Sequence, residues 1–253
     1  MKIENVNRAL QKAGINQNDT IMIHGDAIVA AQFLAVDKEK RLESLLKEII
    51  NYITKEGTLI IPTFTYSLTN NEIYDVLNSK SKIGKFSECF RKLPNVKRSL
   101  HPIFSVAVLG KNENDFVNSD TKDCFGDNTI FDILHRLDGK IMNLGCEFNI
   151  TYAHYVEQKL SVEYRYFKNF NGFIINESEK KSVKTRYFVG DKKLRYSLKL
   201  DKLKQRLILK NKIKISSFGR FASYTVRCQD FFKYAKELIE ENHFGLIEEG
   251  QSD

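Results

Sequence analysis

Short apolar runs alternate with helix-periodic segments from the N-terminus to about residue 160, and this alternation limits the folds open to the chain. Apolar residues recur at helical spacing over 2–13 and 38–54, which predicts two amphipathic helices. Four runs of strand length accompany them: DTIMIHGD (19–26), TLIIPTF (58–64), IFSVAVLG (103–110) and KIMNLG (140–145). Helices that alternate with buried strands are typical of an α/β fold, predicted here as a mixed, partly parallel central sheet flanked by helices.

The C-terminal third of the chain follows another pattern. YFKNFNGFII (166–175) and TRYFVGDKKLRYSLKL (185–200) alternate in the manner of antiparallel strands, with GDKK (190–193) as a hairpin turn. No Pro/Gly/Ser-rich linker, internal repeat or low-complexity stretch divides the chain. The sequence therefore predicts one domain over 1–253, with an antiparallel C-terminal section at about 165–215.

The charge balance leaves several partners open. Lys and Arg number 40 against 32 Asp and Glu, so the net charge is +8. Such an excess favours nucleic acid, a membrane surface or an anionic small molecule as partner. Much of it lies in the segment 180–214, which a solvated surface explains equally well.

Membrane, metal and disulfide classes find little support in the sequence. No apolar run reaches the roughly 18–20 residues of a membrane span, and the polar N-terminus does not resemble a signal peptide. The four cysteines show no Cys-x-x-Cys spacing, so neither a zinc site nor a disulfide framework is expected. We expect a cytoplasmic protein without a metal and without a membrane partner.

The common nucleotide and hydrolase motifs are missing from the sequence. There is no Gly-x-Gly-x-x-Gly, no Gly-x-x-x-x-Gly-Lys-Ser/Thr, no Gly-x-Ser-x-Gly and no His-Glu-x-x-His. The sequence therefore lacks the main motifs of four classes: dinucleotide-binding proteins, P-loop proteins, α/β-hydrolases and zinc proteases of this type.

Polar residues follow the predicted strands at the points where the strands end. Ligands of open α/β sheets bind beyond the carboxyl ends of the strands, so these residues are candidates for a site. They are His24, Gly25 and Asp26 after the first strand, Thr63 and Thr65 after the second, and Cys146, Glu147, Asn149, Thr151, His154 and Glu157 after the fourth.

His154 and Glu157 carry the most specific chemistry among these candidates. Their spacing of three places both side chains on one face of the predicted helix 153–162. A carboxylate beside an imidazole orients the ring, and the pair can act as a general base on an amine or hydroxyl. The same spacing also occurs in surface ion pairs worth less than about 1 kcal/mol, so spacing alone leaves both interpretations open.

Six segments follow one another along the chain: GTLIIPTFT (57–65), SKIGKFSECFR (81–91), RSLHPIFSVAVLG (98–110), FGDNTIFDIL (125–134), GKIMNLGC (139–146) and TYAHYVE (151–157). In this order they resemble the aminoglycoside 3-N-acetyltransferase family, also called the antibiotic N-acetyltransferase family. The Arg-Ser-x-His-Pro and Thr-x-x-His-x-x-Glu stretches are specific in combination. The resemblance covers roughly residues 1–165 and the remainder only loosely.

The resemblance implies an acetyl-coenzyme A-dependent N-acyltransferase that works by direct transfer. It implies His154 as the general base and Glu157 as the residue that orients it. The loop after the first strand and the Pro-Thr-x-Thr segment would line the coenzyme A and acceptor cleft, with backbone N–H groups after His24 available for the pyrophosphate. The expected cofactor-binding residues are His24, Gly25, Asp26, Ala27, Thr63, Thr65, Arg98 and Ser99.

Three side chains in the matching segments have a structural interpretation as well. Arg98 and His101 are explained equally well as turn scaffolding around Pro102. Cys146 is expected to be a buried structural cysteine, since direct transfer needs no protein nucleophile.

The acceptor is predicted from the charge near the dyad. The expected substrate-binding residues are Thr151, Tyr155, Arg165 and Lys168. The turn after the first strand carries Asp26 and lacks the glycine pair usual in antibiotic-modifying members. Lys159, Arg165 and Lys168 lie among aromatic residues, which suits an anionic acceptor.

The sequence therefore favours N-acylation of an amino-deoxy sugar linked to a nucleotide diphosphate, in polysaccharide or glycan synthesis. Acetylation of an aminoglycoside is the alternative with the same chemistry. A nucleic-acid-binding protein is the alternative of another class, supported by the pI near 9.1 and the basic and aromatic residues over 159–196. No RNA-recognition signature accompanies them, so nucleic acid is not the expected partner. Homo-oligomerisation is left open.

Overall fold

The structure is a computed structural model that describes residues 1–191, 194 and 196–249. The helices are Val6–Lys12 (α1), Arg41–Ile53 (α2), Lys85–Phe90 (α3), Glu113–Val117 (α4), Ile130–Arg136 (α5), Ala153–Lys159 (α6), Asp201–Leu209 (α7) and Cys228–Glu241 (α8). The strands are Thr20–Gly25 (β1), Thr58–Pro62 (β2), Tyr74–Asp75 (β3), Lys97–Arg98 (β4), Val106–Gly110 (β5), Lys140–Leu144 (β6), Arg165–Asn176 (β7), Glu179–Gly190 (β8), Tyr196–Leu198 (β9), Ile213–Phe218 (β10), Phe221–Arg227 (β11) and Ile247–Glu249 (β12). Short 3-10 helices occupy Ile3–Asn5, Ala27–Gln32 and Leu68–Asn70.

Seven strands form the central sheet in the order β10-β11-β6-β1-β2-β5-β4. Strand β1 pairs parallel with both β2 and β6, and every other pair in the sheet is antiparallel. This arrangement confirms the predicted mixed, partly parallel sheet. The run 103–110 forms a strand only from Val106 onwards, because its first residues belong to the turn around Pro102.

Alternation along the central strands builds an apolar layer on each face of the sheet. Ile21 and Ile23 of β1 pack into the layer with α1 and α2, whereas Met22 faces the layer with α5, α6 and α8. Helix α2 buries Leu45, Leu46, Ile49 and Ile53 against the sheet, in agreement with its predicted periodicity. None of the helices in the described part of the chain is long and apolar enough to span a membrane.

The antiparallel C-terminal section is a long hairpin that forms a separate small sheet. Strands β7 and β8 pair over their full length, from Arg165 opposite Gly190 to Asn176 opposite Glu179, and β3 lies along the other edge of β7. The hairpin turns at residues 177–178, both with positive φ. The predicted turn at GDKK includes Lys192 and Lys193, which lie outside the described residues. Strand β9 pairs with β12, and helix α7 lies inside the predicted section 165–215.

Replacing Phe131 with Ala should lower the free energy of unfolding by about 3–5 kcal/mol. Phe131 of α5 is fully buried, and its ring centroid lies 5.3 Å from that of Phe125. Urea denaturation measures the change, and Leu209→Ala is the control because Leu209 is 81% exposed. The control should stay within about 0.5 kcal/mol of the wild type. An equal effect of both substitutions would contradict the described packing.

Candidate active site

Helix α6 carries the predicted dyad across the face of the central sheet. Tyr152, Ala153 and Val156 anchor the helix in the apolar layer beside α8. His154 lies on the less buried side, with 19% of its side chain exposed, whereas the Glu157 side chain is fully buried. The helix therefore presents an imidazole near solvent and supports it with a carboxylate from inside the protein.

Three side chains contact the buried carboxylate of Glu157. Its Oε2 lies 2.6 Å from His154 Nδ1 and 2.8 Å from Arg165 Nε, and its Oε1 accepts a hydrogen bond of 2.9 Å from the Tyr164 hydroxyl. Burial by itself would raise the pKa of Glu157, but the contacts with His154, Arg165 and Tyr164 hold that pKa below its ordinary value. The carboxylate is therefore ionised at neutral pH.

The ionised carboxylate decides the tautomer of His154. A carboxylate only accepts hydrogen bonds, so Nδ1 of His154 carries the ring proton and donates a hydrogen bond to Glu157. The Nε2 atom is then left with a free lone pair, as a general base requires. Arg165 Nη2 also lies 2.8 Å from Nδ1, but guanidinium nitrogens only donate, so this contact is not a hydrogen bond to a protonated Nδ1.

Arg165 occupies a different place from the one the sequence predicts. Instead of binding substrate, its guanidinium contacts Glu157 and donates from Nη1 to the backbone oxygen of Phe188. The side chain is only 8% exposed. The reason is the register of β7, which starts at Arg165 and turns this side chain towards the dyad.

A cleft of about 610 Å³ opens at the carboxyl ends of β1, β2 and β6, and we call it the strand-end cleft. Its lining includes residues 24–27 at the end of β1 and just beyond it, Pro62, Phe64 and Tyr66 at and after the end of β2, residues 83–85, and Asn143, Cys146, Glu147 and Thr151 at and after the end of β6. Thr151 lies two residues before the start of α6, so the lining of the cleft ends next to the helix that carries the dyad. Four predicted cofactor-binding residues, His24, Gly25, Asp26 and Ala27, and one predicted substrate-binding residue, Thr151, line this cleft.

Two predicted cofactor-binding residues, Thr63 and Thr65, face away from the strand-end cleft. Thr63 Oγ1 donates to the backbone oxygen of Ser105, and Thr65 Oγ1 donates to that of Pro102. Because side chains alternate along an extended segment, the neighbouring Phe64 lines the cleft instead. Thr63 and Thr65 thus lie in a segment that borders the cleft, with their own side chains outside its lining.

Arg98 and Ser99, both predicted to contact the cofactor, hydrogen-bond to the protein backbone and do not line the strand-end cleft. The buried Arg98 guanidinium donates to the backbone oxygens of Thr63 (2.8 Å) and Ser79 (2.6 Å). Ser99 Oγ accepts from the backbone N–H of Val106. Arg98 therefore holds the backbone at Thr63, next to Phe64, which lines the strand-end cleft.

His101 is a buried, neutral member of the same scaffold. Its Nδ1 accepts from the backbone N–H groups of Ile103 and Phe104, so Nε2 carries the proton and donates to the backbone oxygen of Asp123 at 3.0 Å. Burial lowers the pKa of His101 to about 4. The geometry of the Arg-Ser-x-His-Pro stretch thus favours its interpretation as turn scaffolding around Pro102.

Asp26 changes the anion-binding prospects of the loop after β1. Its carboxylate Oδ1 accepts from the backbone N–H of Ile28 at 2.8 Å, at the start of the 3-10 helix Ala27–Gln32. The Asp26 carboxylate thus accepts the hydrogen bond that a pyrophosphate would accept at this loop. Its negative charge also repels phosphate. The expected phosphate contact at this loop is therefore not supported.

The floor of the strand-end cleft holds two polar atoms without partners. His24 and Asn143 are register partners on β1 and β6. Among the described residues, neither His24 Nε2 nor Asn143 Oδ1 has a hydrogen-bond partner, and both atoms are buried. Burial lowers the pKa of His24 to about 4, so its imidazole is neutral. The sequence does not identify Asn143 as a site residue, because neither strand alone shows that β1 pairs with β6.

Cys146 lines the strand-end cleft but shows no sign of activation. Its thiol donates to the backbone oxygen of His24 at 3.3 Å, and burial raises the thiol pKa. A raised pKa removes thiolate and hence nucleophilicity. In the described part of the chain, no group of three or more His, Cys, Asp or Glu side chains is placed to hold a metal ion.

A second cleft of about 880 Å³ lies between the loop 120–127, α6 and the β7–β8 hairpin, and we call it the hairpin cleft. Its lining includes Asp120, Lys122, Asp123, Asp127, Gln158, Lys159, Phe167, Asn169, Lys184 and Arg186. Gln158 follows His154 by four residues on α6, as Thr151 precedes it by three. His154 therefore lies between a residue of each cleft in the sequence, although its own side chain is not part of either lining.

Most acidic groups of the hairpin cleft are already paired. Asp123 accepts from Arg186 Nε at 2.8 Å, and Asp127 pairs with Lys159. In contrast, Lys122 and Lys184 have no acidic side chain within ion-pair distance among the described residues. The cleft thus offers cationic side chains in excess, next to the exposed ring of Phe167.

Two predicted substrate-binding residues lie outside both clefts. Tyr155 is buried against Tyr152, with its hydroxyl donating to Asp132 Oδ1 at 3.0 Å. Lys168 is exposed on the other face of β7, where its Nζ lies 5.1 Å from the ring centroid of Phe170. Helical and strand periodicity turn these two side chains away from the clefts.

The neutral, buried His101 should make the stability depend on pH. Its folded pKa of about 4 lies below the ordinary 6.5, so the unfolded chain binds more protons between these values. The contribution of His101 to the free energy of unfolding is complete above about pH 6.5. It falls by about 3 kcal/mol as the pH drops towards 4. Urea denaturation at several pH values should show this loss in the wild type.

Substituting His101→Gln should flatten that part of the pH dependence, whereas His243→Gln at an exposed position should leave it unchanged. Parallel pH dependences of the wild type and His101→Gln would show that His101 is not held neutral in the folded protein.

Comparison with known proteins places this geometry in a family. The family model described as aminoglycoside 3-N-acetyltransferase matches residues 29–240, well beyond the range over which the sequence motifs show the resemblance. The SPbeta prophage-derived aminoglycoside N(3')-acetyltransferase-like protein YokD of Bacillus subtilis (strain 168) is 22% identical over 183 residues. That match covers 62% of this chain and 65% of the relative, so the chain spans slightly less than two thirds of that relative's length.

Solved structures share the fold over nearly the whole chain. The crystal structure of YokD has a TM-score of 0.79 at 17% identity, with 96% of this chain and 94% of that chain covered. AAC-IIIb, solved as a binary complex with CoASH, has a TM-score of 0.81 at 16% identity, with coverage of 100% and 99%. AAC-VIa, solved with bound sisomicin, has a TM-score of 0.80 at 16% identity, with coverage of 95% and 98%. The chain belongs to the aminoglycoside 3-N-acetyltransferase family.

Proposed function

We propose that the protein is an acetyl-coenzyme A-dependent N-acetyltransferase that acts on the amino group of an amino sugar. The observation that supports the proposal is the contact of His154 Nδ1 with an ionised carboxylate, on a helix that follows Thr151 of the strand-end cleft and carries Gln158 of the hairpin cleft. Family membership and the relative solved with CoASH support the choice of acetyl donor.

The strand-end cleft fits the pantetheine arm of coenzyme A. The arm carries uncharged amides between apolar segments. The lining combines the apolar Pro62, Phe64 and Ile83 with many polar groups, among them the two unpartnered atoms of His24 and Asn143. Bound there, coenzyme A supplies the activated acetyl group as a thioester.

His154 supplies the proton transfer that the reaction needs. An amine at neutral pH is mostly protonated, since its pKa is about 10, and must lose a proton to attack the thioester. His154 Nε2 accepts that proton while Glu157 stabilises the imidazolium. The new C–N bond replaces the C–S bond. His154 returns its proton to the departing thiolate sulfur, and the nitrogen releases its second proton to solvent as the neutral amide forms. No protein nucleophile is needed, which agrees with the raised pKa of Cys146.

The relatives and the hairpin cleft point to two acceptor classes. The complex of AAC-VIa with sisomicin supports an aminoglycoside as the acceptor. The second candidate is an amino-deoxy sugar linked to a nucleotide diphosphate, which the unpaired Lys122 and Lys184 favour because they attract phosphate. The exposed ring of Phe167, with Arg186 Cζ 4.2 Å from its centroid, would stack against a base or sugar.

Replacing His154 with Ala should lower kcat by roughly 100-fold or more while the Kd for coenzyme A stays nearly unchanged, because only proton transfer is lost. A thiol-release assay measures kcat, and calorimetric titration measures the Kd. Glu157→Gln should lose less, since an amide still orients the ring without its charge. The control is His243→Ala, at an exposed position. Turnover of His154→Ala close to that of the wild type would exclude this base.

A matched set of acceptors should separate the two classes. With acetyl-coenzyme A as donor, kcat/KM is compared for sisomicin-type aminoglycosides, free amino sugars and nucleotide-linked amino sugars. A nucleotide-linked acceptor should lose at least about 10-fold in kcat/KM in the double variant Lys122→Gln/Lys184→Gln, whereas a polycationic acceptor should gain. Preference for aminoglycosides in the wild type, with no loss in the double variant, would exclude the nucleotide-linked acceptor.

A further inference from the structure

We propose that His24 and Asn143 form an amide-binding pair on the floor of the strand-end cleft and hold the β-alanine unit of the pantetheine arm. The inference rests on the proposed function and assigns a ligand to the two unpartnered polar atoms of the cleft. Asn143 Oδ1 accepts the N–H of the unit, and His24 Nε2 donates to its carbonyl oxygen.

The sheet places the two side chains next to each other. His24 on β1 and Asn143 on β6 are opposite one another in a parallel pair, and neighbouring strands lie about 4.8 Å apart. Two residues earlier, Met22 and Ile141 are also register partners, and both pack into the apolar layer that contains α6. By alternation, His24 and Asn143 emerge on this same face, towards the helix that carries His154.

The hydrogen bonds of Asn143 show which end of its amide is free. Asn143 Nδ2 donates to the backbone oxygen of Asn149 at 3.1 Å, and a carbonyl oxygen only accepts, so the orientation of the side-chain amide is fixed. The residue is 1% exposed, and Oδ1 has no partner in the part of the chain that the structure describes. A buried carbonyl oxygen without a donor is costly, and an N–H from a ligand in the cleft relieves that cost.

His24 supplies the complementary donor. Burial keeps its imidazole neutral, so the ring carries one N–H and one lone pair. With Nε2 protonated, the pair presents one donor and one acceptor side by side. The β-alanine unit of pantetheine offers one N–H and one C=O separated by two flexible methylenes, so both groups can face the same side. Because the unit carries no charge, the nearby Asp26 and Glu147 do not oppose it.

The test compares ligands as well as variants. Calorimetric titration, without acceptor, measures the Kd of coenzyme A, of pantetheine and of a pantetheine analogue in which oxygen replaces the β-alanine N–H. The wild type should bind the analogue about 10-fold more weakly than pantetheine, the scale of one lost hydrogen bond to a buried group. Asn143→Leu should bind pantetheine about 10-fold more weakly than the wild type does and should not discriminate against the analogue.

Two further variants complete the design. His24→Leu should weaken pantetheine binding to a similar extent and still discriminate against the analogue, because Asn143 is intact. Thr225→Val is the matched control, since Thr225 Oγ1 is also a buried atom without a partner among the described residues but lies outside both clefts. Its affinities should equal those of the wild type.

The outcomes separate this inference from the proposed function. If the wild type binds coenzyme A but does not discriminate against the analogue, the amide-binding pair is overturned and the acetyltransferase proposal stands. If the wild type binds neither coenzyme A nor pantetheine, both are overturned. The comparison of ligands on the wild type needs no substitution, so it holds even if a variant fails to fold.

Discussion

The buried carboxylate of Glu157 is the interaction on which the geometry of the candidate site depends. A charge removed from water is unstable unless hydrogen bonds and opposite charge surround it. Here the partners come from three consecutive parts of the chain: His154 from α6, Tyr164 from the connection after it, and Arg165 from the first position of β7. Satisfying one carboxylate therefore fixes the helix, the connection and the base of the hairpin relative to each other.

That arrangement also connects the two clefts with the helix that carries His154. The parallel centre of the sheet ends its strands at the strand-end cleft, and the hairpin anchored through Arg165 forms a wall of the hairpin cleft. Thr151, two residues before helix α6, lines the strand-end cleft, and Gln158 on the helix lines the hairpin cleft. A bisubstrate reaction needs such a layout, because the acyl donor and the amine must approach the base from separate sides.

Periodicity in the sequence predicts the sheet, its flanking helices and the shared face of His154 and Glu157, since these depend on local spacing. The face of an extended segment is harder to predict, as Thr63 and Phe64 show, because a shift of one residue exchanges buried and cleft-lining side chains. Contacts between distant segments are out of reach of spacing altogether. The position of Arg165 beside the dyad and the pairing of His24 with Asn143 depend on strand register.

The tautomer of His154 is the central claim, and ¹⁵N NMR of histidine-labelled protein at neutral pH tests it directly. The contact of Nδ1 with the ionised Glu157 predicts a proton on Nδ1 and an unprotonated Nε2. The alternative follows from Arg165 Nη2, which lies 2.8 Å from the same atom and could donate to it. A free protein in which Nε2 carries the proton would leave the imidazole without the lone pair that a general base needs and would contradict the account.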